Sequence, residues 1–128
     1  MFDWIRYIML AKVLMKNNDE ESIRTAISRL YYGFFGIARR YLINVKNKYY
    51  LMSSCSDVHF KVYTELLALG TTEKEVAKML SKLRGIRNHA DYDSRFDEDF
   101  FLNFLDENEK KLINAYGALT FLKNNPGF

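Results

Sequence analysis

The chain has 128 residues, 48% apolar and 16% aromatic, with a net charge of +3. That is enough for one domain, residues 1–128, with its own core, and it excludes a disordered chain. A single cysteine, Cys55, excludes an internal disulfide and suits a reducing cytosol.

One proline and six glycines leave the backbone seldom interrupted, which favours helix. The opening "MFDWIRYIML" lacks the basic leader of a signal peptide. The longest uncharged apolar run, residues 30–38, is too short to cross a bilayer. A cytoplasmic protein without a membrane partner is expected. Charge is uneven, with nine Lys/Arg against four Asp/Glu in residues 1–50 and seven against nine in residues 51–100. A basic first half suits a phosphate-bearing partner, or simply a solvated helix face.

In chain order, a first helix is predicted from Asp3 to about Met15. In the second, Ile23, Ile27, Leu30, Phe34, Ala38, Tyr41 and Val45 step by three or four and mark one buried stripe. Asp19, Glu20 and Glu21 stand at its start, where the helix dipole favours negative charge. "KNKYYLMSSCSD" has no period and reads as a loop. Asp57 is the expected cap of a third helix, Val58 to Leu69, which Gly70 would end in a left-handed conformation. Thr72 and Glu75 read as a capping box for a fourth helix running to about Tyr92. Asp97, Glu98 and Asp99 open a fifth. Its apolar positions include Phe100, Phe101, Phe104, Leu105, Leu112, Ala115, Tyr116, Leu119 and Leu122, and "NNPG" closes the chain. Alternating β-branched segments are missing. The predicted fold is all-α, an up-and-down bundle of four to five helices.

The chemistry concentrates in residues 83–93, "LRGIRNHADYD". Val76, Met79, Leu80, Leu83, Ile86 and Ala90 define the core-facing stripe of the fourth helix. At about 100° per residue, Arg87 falls roughly 50° from its centre. Arg84 falls roughly 110° to one side, His89 roughly 110° to the other, and Tyr92 points away. A guanidinium at the core border is costly unless paired with a carboxylate, a hydroxyl or a bound anion. Asp91, one turn on, would make that pair purely structural. Asn88 and Tyr92 face outward, towards a ligand or a second subunit. In the second helix, Arg29, Tyr32 and Arg39 suit phosphate contact and base stacking, whereas Tyr31 and Phe34 read as core and Tyr32 as half-buried.

Residues 28–42, "SRLYYGFFGIARRYL", and the later "LRGIRNHADYD" resemble the HEPN-domain family (higher eukaryotes and prokaryotes nucleotide-binding domain). The likeness is to its small stand-alone prokaryotic members, with "RxYYxxFxxAR" and "LRxxADY"-like motifs. It covers roughly residues 20–123. The resemblance implies a helical bundle, a homodimer and RNA or nucleotide as ligand. In some members it implies a metal-independent ribonuclease, or the toxin of a pair whose antitoxin is a minimal nucleotidyltransferase. In an R-x4–6-H motif the arginine steadies the scissile phosphate and the histidine assists attack by the 2′-hydroxyl.

Two registers compete. Spacing alone gives Arg84-x4-His89, whereas alignment to the "RxxADY" pattern makes Arg87 the family arginine and puts Tyr92 in the histidine slot. The candidates for catalysis are therefore Arg87, His89, Arg84 and Tyr92. Asn88, Asp91, Arg29, Tyr32 and Arg39 are the candidates for holding RNA or nucleotide. Tyrosine is a poor base at neutral pH. A module with a degenerate motif, binding nucleotide or docking a partner without cutting, stands as the alternative, and beside it a helical dimer with a structural Arg87–Asp91 pair. Cys55 and His59 alone make a weak metal site, and the Glu-x-x-His pairs of a di-iron bundle are missing, so neither metal nor cofactor is expected. For His59 the resemblance implies a supporting role at the dimer face.

Overall fold

The computed structural model describes residues 2–53 and 57–124. Cys55, Pro126 and the side chains of Ala115 and Leu122 lie outside the described residues. Five helices follow one another: α1 (Ile5–Met15), α2 (Glu20–Asn44), α3 (Val58–Leu67), α4 (Thr71–Tyr92) and α5 (Glu98–Asn124). A short 3-10 turn, Tyr49–Met52, interrupts the link between α2 and α3, which the sequence reads as plain loop. Among the described residues there is no strand, and no helix is long and apolar enough to cross a membrane. The fold is an all-α bundle.

The long apolar stripe makes α2 the central element, packed against all four other helices. Ile23, Ile27, Leu30, Phe34, Ala38 and Tyr41 are all buried along it. Asp19 starts the helix as its cap, accepting from the Ser22 amide at 2.8 Å. The Ser22 hydroxyl, and then this amide, hold the Asp19 carboxyl below its ordinary range. Asn18 and Asn47, both at φ 58°, supply the left-handed turns that bracket α2, a conformation asparagine tolerates better than most residues.

The helix α4 runs antiparallel to α2, and one polar contact near each end sets the pairing. Arg24, near the start of α2, donates to the carbonyls of Ala90 (2.8 Å), Asp93 (2.7 Å) and Ser94 (3.2 Å). These include acceptors that the last turn of a helix leaves without an intrahelical partner. At the other end, the Tyr41 hydroxyl donates to Glu73 Oε1 at 2.8 Å, with both residues buried. Burial first, and then the carboxylate, push the Tyr41 hydroxyl well above its ordinary pKa. Tyr41→Phe leaves a buried carboxylate short of a donor, and a loss of about 1–3 kcal/mol is expected in urea unfolding. In a Glu73→Leu background the same change should cost much less.

Four local expectations need correction. Gly70 has φ −73° and ψ −175° and caps the start of α4 instead of closing α3 in a left-handed turn. Its glycine has a different reason: a Cβ there would lie 2.9 Å from Glu73 Oε2, which folds back over it. With Gly70 as the cap, Thr72 and Glu75 fall two residues too far along to form the capping box. Asp57 occupies the cap position of α3 without a side-chain capping bond, and forms an ion pair with Lys61 at 3.4 Å. On α5, Phe101 is buried and Phe100 faces solvent. Asp97 caps that helix, accepting from the Phe100 amide at 3.0 Å.

Candidate phosphate-binding site

The wheel position of Arg87 carries over into three dimensions. Its side chain leaves α4 at the border of the core and is 7% exposed. There its guanidinium meets the rings of Tyr31 and Tyr32, at 5.4 and 5.3 Å from their centroids. Asp91 lies one turn on, with Oδ2 3.6 Å from a terminal guanidinium nitrogen. That is an ion pair but too long for a good hydrogen bond. Among the described residues, the buried Nε–H of Arg87 has no hydrogen-bond partner.

A second arginine approaches the same tyrosine. Arg29 stands 5.7 Å from the Tyr32 centroid and 4.8 Å from that of Tyr7, which α1 supplies. It donates to the Ser28 hydroxyl at 3.3 Å, and its buried Nε–H also lacks a partner among the described residues. Tyr32, half-buried, thus lies within cation–π reach of two guanidinium groups from helices α2 and α4.

Tyr31 is buried, in keeping with its reading as core, and its hydroxyl reaches α3, where it meets His59 Nδ1 at 2.6 Å. Burial lowers the pKa of His59 to about 4, and Arg84, Arg87 and Arg39 add to the effect. The ring is neutral at pH 7. We assign the bond with Tyr31 donating to Nδ1, which leaves the ring proton on Nε2. Burial likewise raises the Tyr31 hydroxyl to about 12, against the pull of Arg84 and Arg87.

His59 carries a stability consequence. Its folded pKa lies below the value of about 6.5 expected in the unfolded chain. Below that value the unfolded chain takes up the proton first, so stability falls as the pH drops from about 6.5 towards 4 and levels off below. Partial exposure reduces the effect, and a Tm loss of roughly 5 °C across this window is expected. His59→Gln should remove that part of the pH dependence, as seen by thermal melts of both proteins from pH 7.5 to 3.5.

The remaining candidates are placed elsewhere. Arg84 is exposed and borders a cavity with Tyr31 and His59. Asn88 and Asp91 follow it along the exposed side of α4. His89 lies on the side of α4 that faces α5, its Nδ1 donating to Asp93 Oδ2 and its ring 5.7 Å from that of Phe96. Among the described residues no hydrogen bond or ion pair joins His89 to Arg84 or Arg87. Tyr92, 77% exposed, points away from the cluster. Arg39 is spent on structure: its Nε and a terminal nitrogen donate to the carbonyls of Leu51 and Met52, at 2.6 and 3.0 Å, and hold the 3-10 turn against α2.

The histidine that meets the arginines' field is therefore His59, 25 to 28 residues before them in the chain. In the sequence it stands out only as the partner of Cys55 in a weak metal pair and as a residue to which the resemblance gives a supporting role, with nothing that links it to Tyr31. Arg24, which fixes the end of α4, gives no signal at all. Set against protein-family models, curated proteins and solved structures, the chain finds no match.

Proposed function

We propose that the face formed by α2 and the second half of α4 binds RNA or a nucleotide through its phosphate, as a HEPN-like module. One observation carries the reading. Arg29 and Arg87 approach Tyr32 from two helices, and each keeps a buried Nε–H donor that no acceptor among the described residues satisfies. Buried donors are normally paired, and a phosphate oxygen is an acceptor of the charge and geometry that guanidinium groups favour. The motif resemblance points to the same ligand class. Arg84 and Asn88, exposed beside this cluster, extend the surface along α4.

The binding reading without cleavage is favoured over the ribonuclease by the position of His89, engaged with Asp93 and separate from the arginines. The homodimer and the nucleotidyltransferase partner belong to the same proposal and rest on the motif resemblance alone.

Fluorescence anisotropy with a labelled single-stranded RNA, in EDTA, tests both parts. Binding that weakens with salt is expected, with a log–log slope of about −1.4 for two phosphate contacts. Loss of all binding at low salt would remove the proposal. RNA left intact by excess protein supports the non-catalytic form, whereas fragments with 2′,3′-cyclic phosphate ends would establish the ribonuclease.

A further inference from the structure

Beside the arginine–tyrosine cluster, between α2, α3 and α4, lies a cavity of about 200 Å³. Its lining includes Tyr31, Phe35, His59, Tyr63, Ser81 and Arg84. Pockets for drug-sized ligands run to about 300–1,000 Å³, so this one is sized for a single small ring system. Its aromatic rings are aligned. His59 stacks on Phe35 at 4.3 Å between centroids with 28° between planes. Tyr31 lies within 24° of His59 and 20° of Phe35. A planar guest that enters parallel to these rings meets faces, whereas one that enters across them meets edges.

The polar groups are few and differ in kind. His59 spends Nδ1 on Tyr31, which leaves Nε2 as the ring atom for a guest. Ser81 offers a hydroxyl and Arg84 a cation at the border of the cavity. An apolar aromatic chamber with two small hydrogen-bonding groups and a guanidinium fits a flat heterocycle carrying an anion.

We propose that this cavity is a base-binding subsite that takes one nucleobase, while Arg87 of the phosphate site, joined by Arg84 at the border of the cavity, holds the phosphate attached to it. The inference rests on the phosphate-binding reading above and adds what that reading leaves open: one base is enclosed, so the ligand is recognised as a nucleotide unit and not as a bare polyanion. His59 and Tyr31 are positioning groups here. Their hydrogen bond fixes the ring against which the base stacks.

The test compares adenosine 5′-monophosphate with ribose 5-phosphate by calorimetry at low salt, in the wild type and in Ser81→Phe. Ser81 lines the cavity from the exposed side of α4, one turn before Arg84, so a phenylalanine there adds bulk at the cavity and none in the core. The nucleotide should bind about tenfold more tightly than the sugar phosphate. Ser81→Phe should erase that difference and leave ribose 5-phosphate binding unchanged. The His59 Cε1 proton should show a ring-current shift with the nucleotide and none with ribose 5-phosphate. If Ser81→Phe fails to fold, Tyr63→Ala serves in its place, and it should weaken the nucleotide alone.

Equal affinity for the two ligands overturns the base subsite and leaves the phosphate reading standing. Nucleotide preference that persists in Ser81→Phe without a shift at His59 places the base elsewhere and also overturns it. Failure of both ligands to bind overturns the subsite together with the phosphate reading.

Discussion

Replacing Arg87 with methionine should weaken RNA binding at least tenfold while leaving the melting temperature unchanged or higher. The two halves of this result have one cause. A guanidinium that is 7% exposed has given up most of its hydration. In return it has one carboxylate at 3.6 Å, two aromatic faces and an Nε–H with no acceptor among the described residues. Replacing both members of a buried ion pair by apolar side chains is often neutral, or stabilising by about 1–4 kcal/mol, and the cost of removing one member comes from the charge left buried. Methionine keeps the stem packed between Tyr31 and Tyr32, and the Asp91 side chain, 27% exposed, can be solvated once its partner is gone. A charge-assisted hydrogen bond to phosphate is worth about 1.5–3 kcal/mol, which is tenfold or more in affinity. Arg87→Lys keeps the charge but loses the planar fork, and an intermediate affinity is expected. Thermal melts and anisotropy titrations on the same preparations separate the two effects. A sharp loss of stability with unchanged RNA affinity would make Arg87 a structural residue and remove the central member of the site.

The residues that sequence reasoning places well belong to long periodic helices. On α2, Tyr31 reads as core and Tyr32 as half-buried, both next to the Leu30–Phe34 stripe, because a 3.6-residue period over 25 residues leaves little freedom in which face turns inward. The same logic, applied to α4, puts Arg87 at the core border and Tyr92 in solvent. What escapes is long-range or depends on a boundary. Arg24 meets carbonyls 66 to 70 residues later, and His59 meets Tyr31 across 28 residues; neither pairing has a local signature. Gly70 and the supposed capping box were misplaced for a related reason. Only residues 68–70 join α3 to α4, and Glu73 is drawn inward by Tyr41, a residue on another helix. The choice between Arg84 and Arg87 shows both regimes together. Spacing matches Arg84 to His89, but three-dimensional packing puts His89 on the α5 side and brings His59 to the arginines instead.

The second large effect concerns α1, which lies on α2 at two glycines. A Cβ at Gly33 would come within 2.7 Å of Ile8 Cγ1, 3.1 Å of the Trp4 carbonyl oxygen and 3.2 Å of the Ile8 amide nitrogen. A Cβ at Gly36 would overlap the indole ring of Trp4. On helix propensity alone, each Gly→Ala change within α2 should stabilise by about 1 kcal/mol. Overpacking opposes this by about 1–3 kcal/mol per site, and at Gly33 the obstruction includes the backbone of α1, which has no rotamer to change. The double variant Gly33→Ala/Gly36→Ala should therefore lose stability, by about 2 kcal/mol, where propensity predicts a gain of similar size. Trp4 is the only tryptophan in the chain, so its emission reports whether α1 has lifted, and a red shift is expected. The change should also reach the site. Tyr7 on α1 is one of the two rings that hold Arg29, at 4.8 Å, and displacement of α1 removes that platform. RNA affinity should fall less than in Arg87→Met, because Tyr32 remains in place on α2. A double variant that is more stable, with unshifted tryptophan emission, would mean that α1 does not pack on these glycines, and Arg29 would then lose its account as a positioned member of the site.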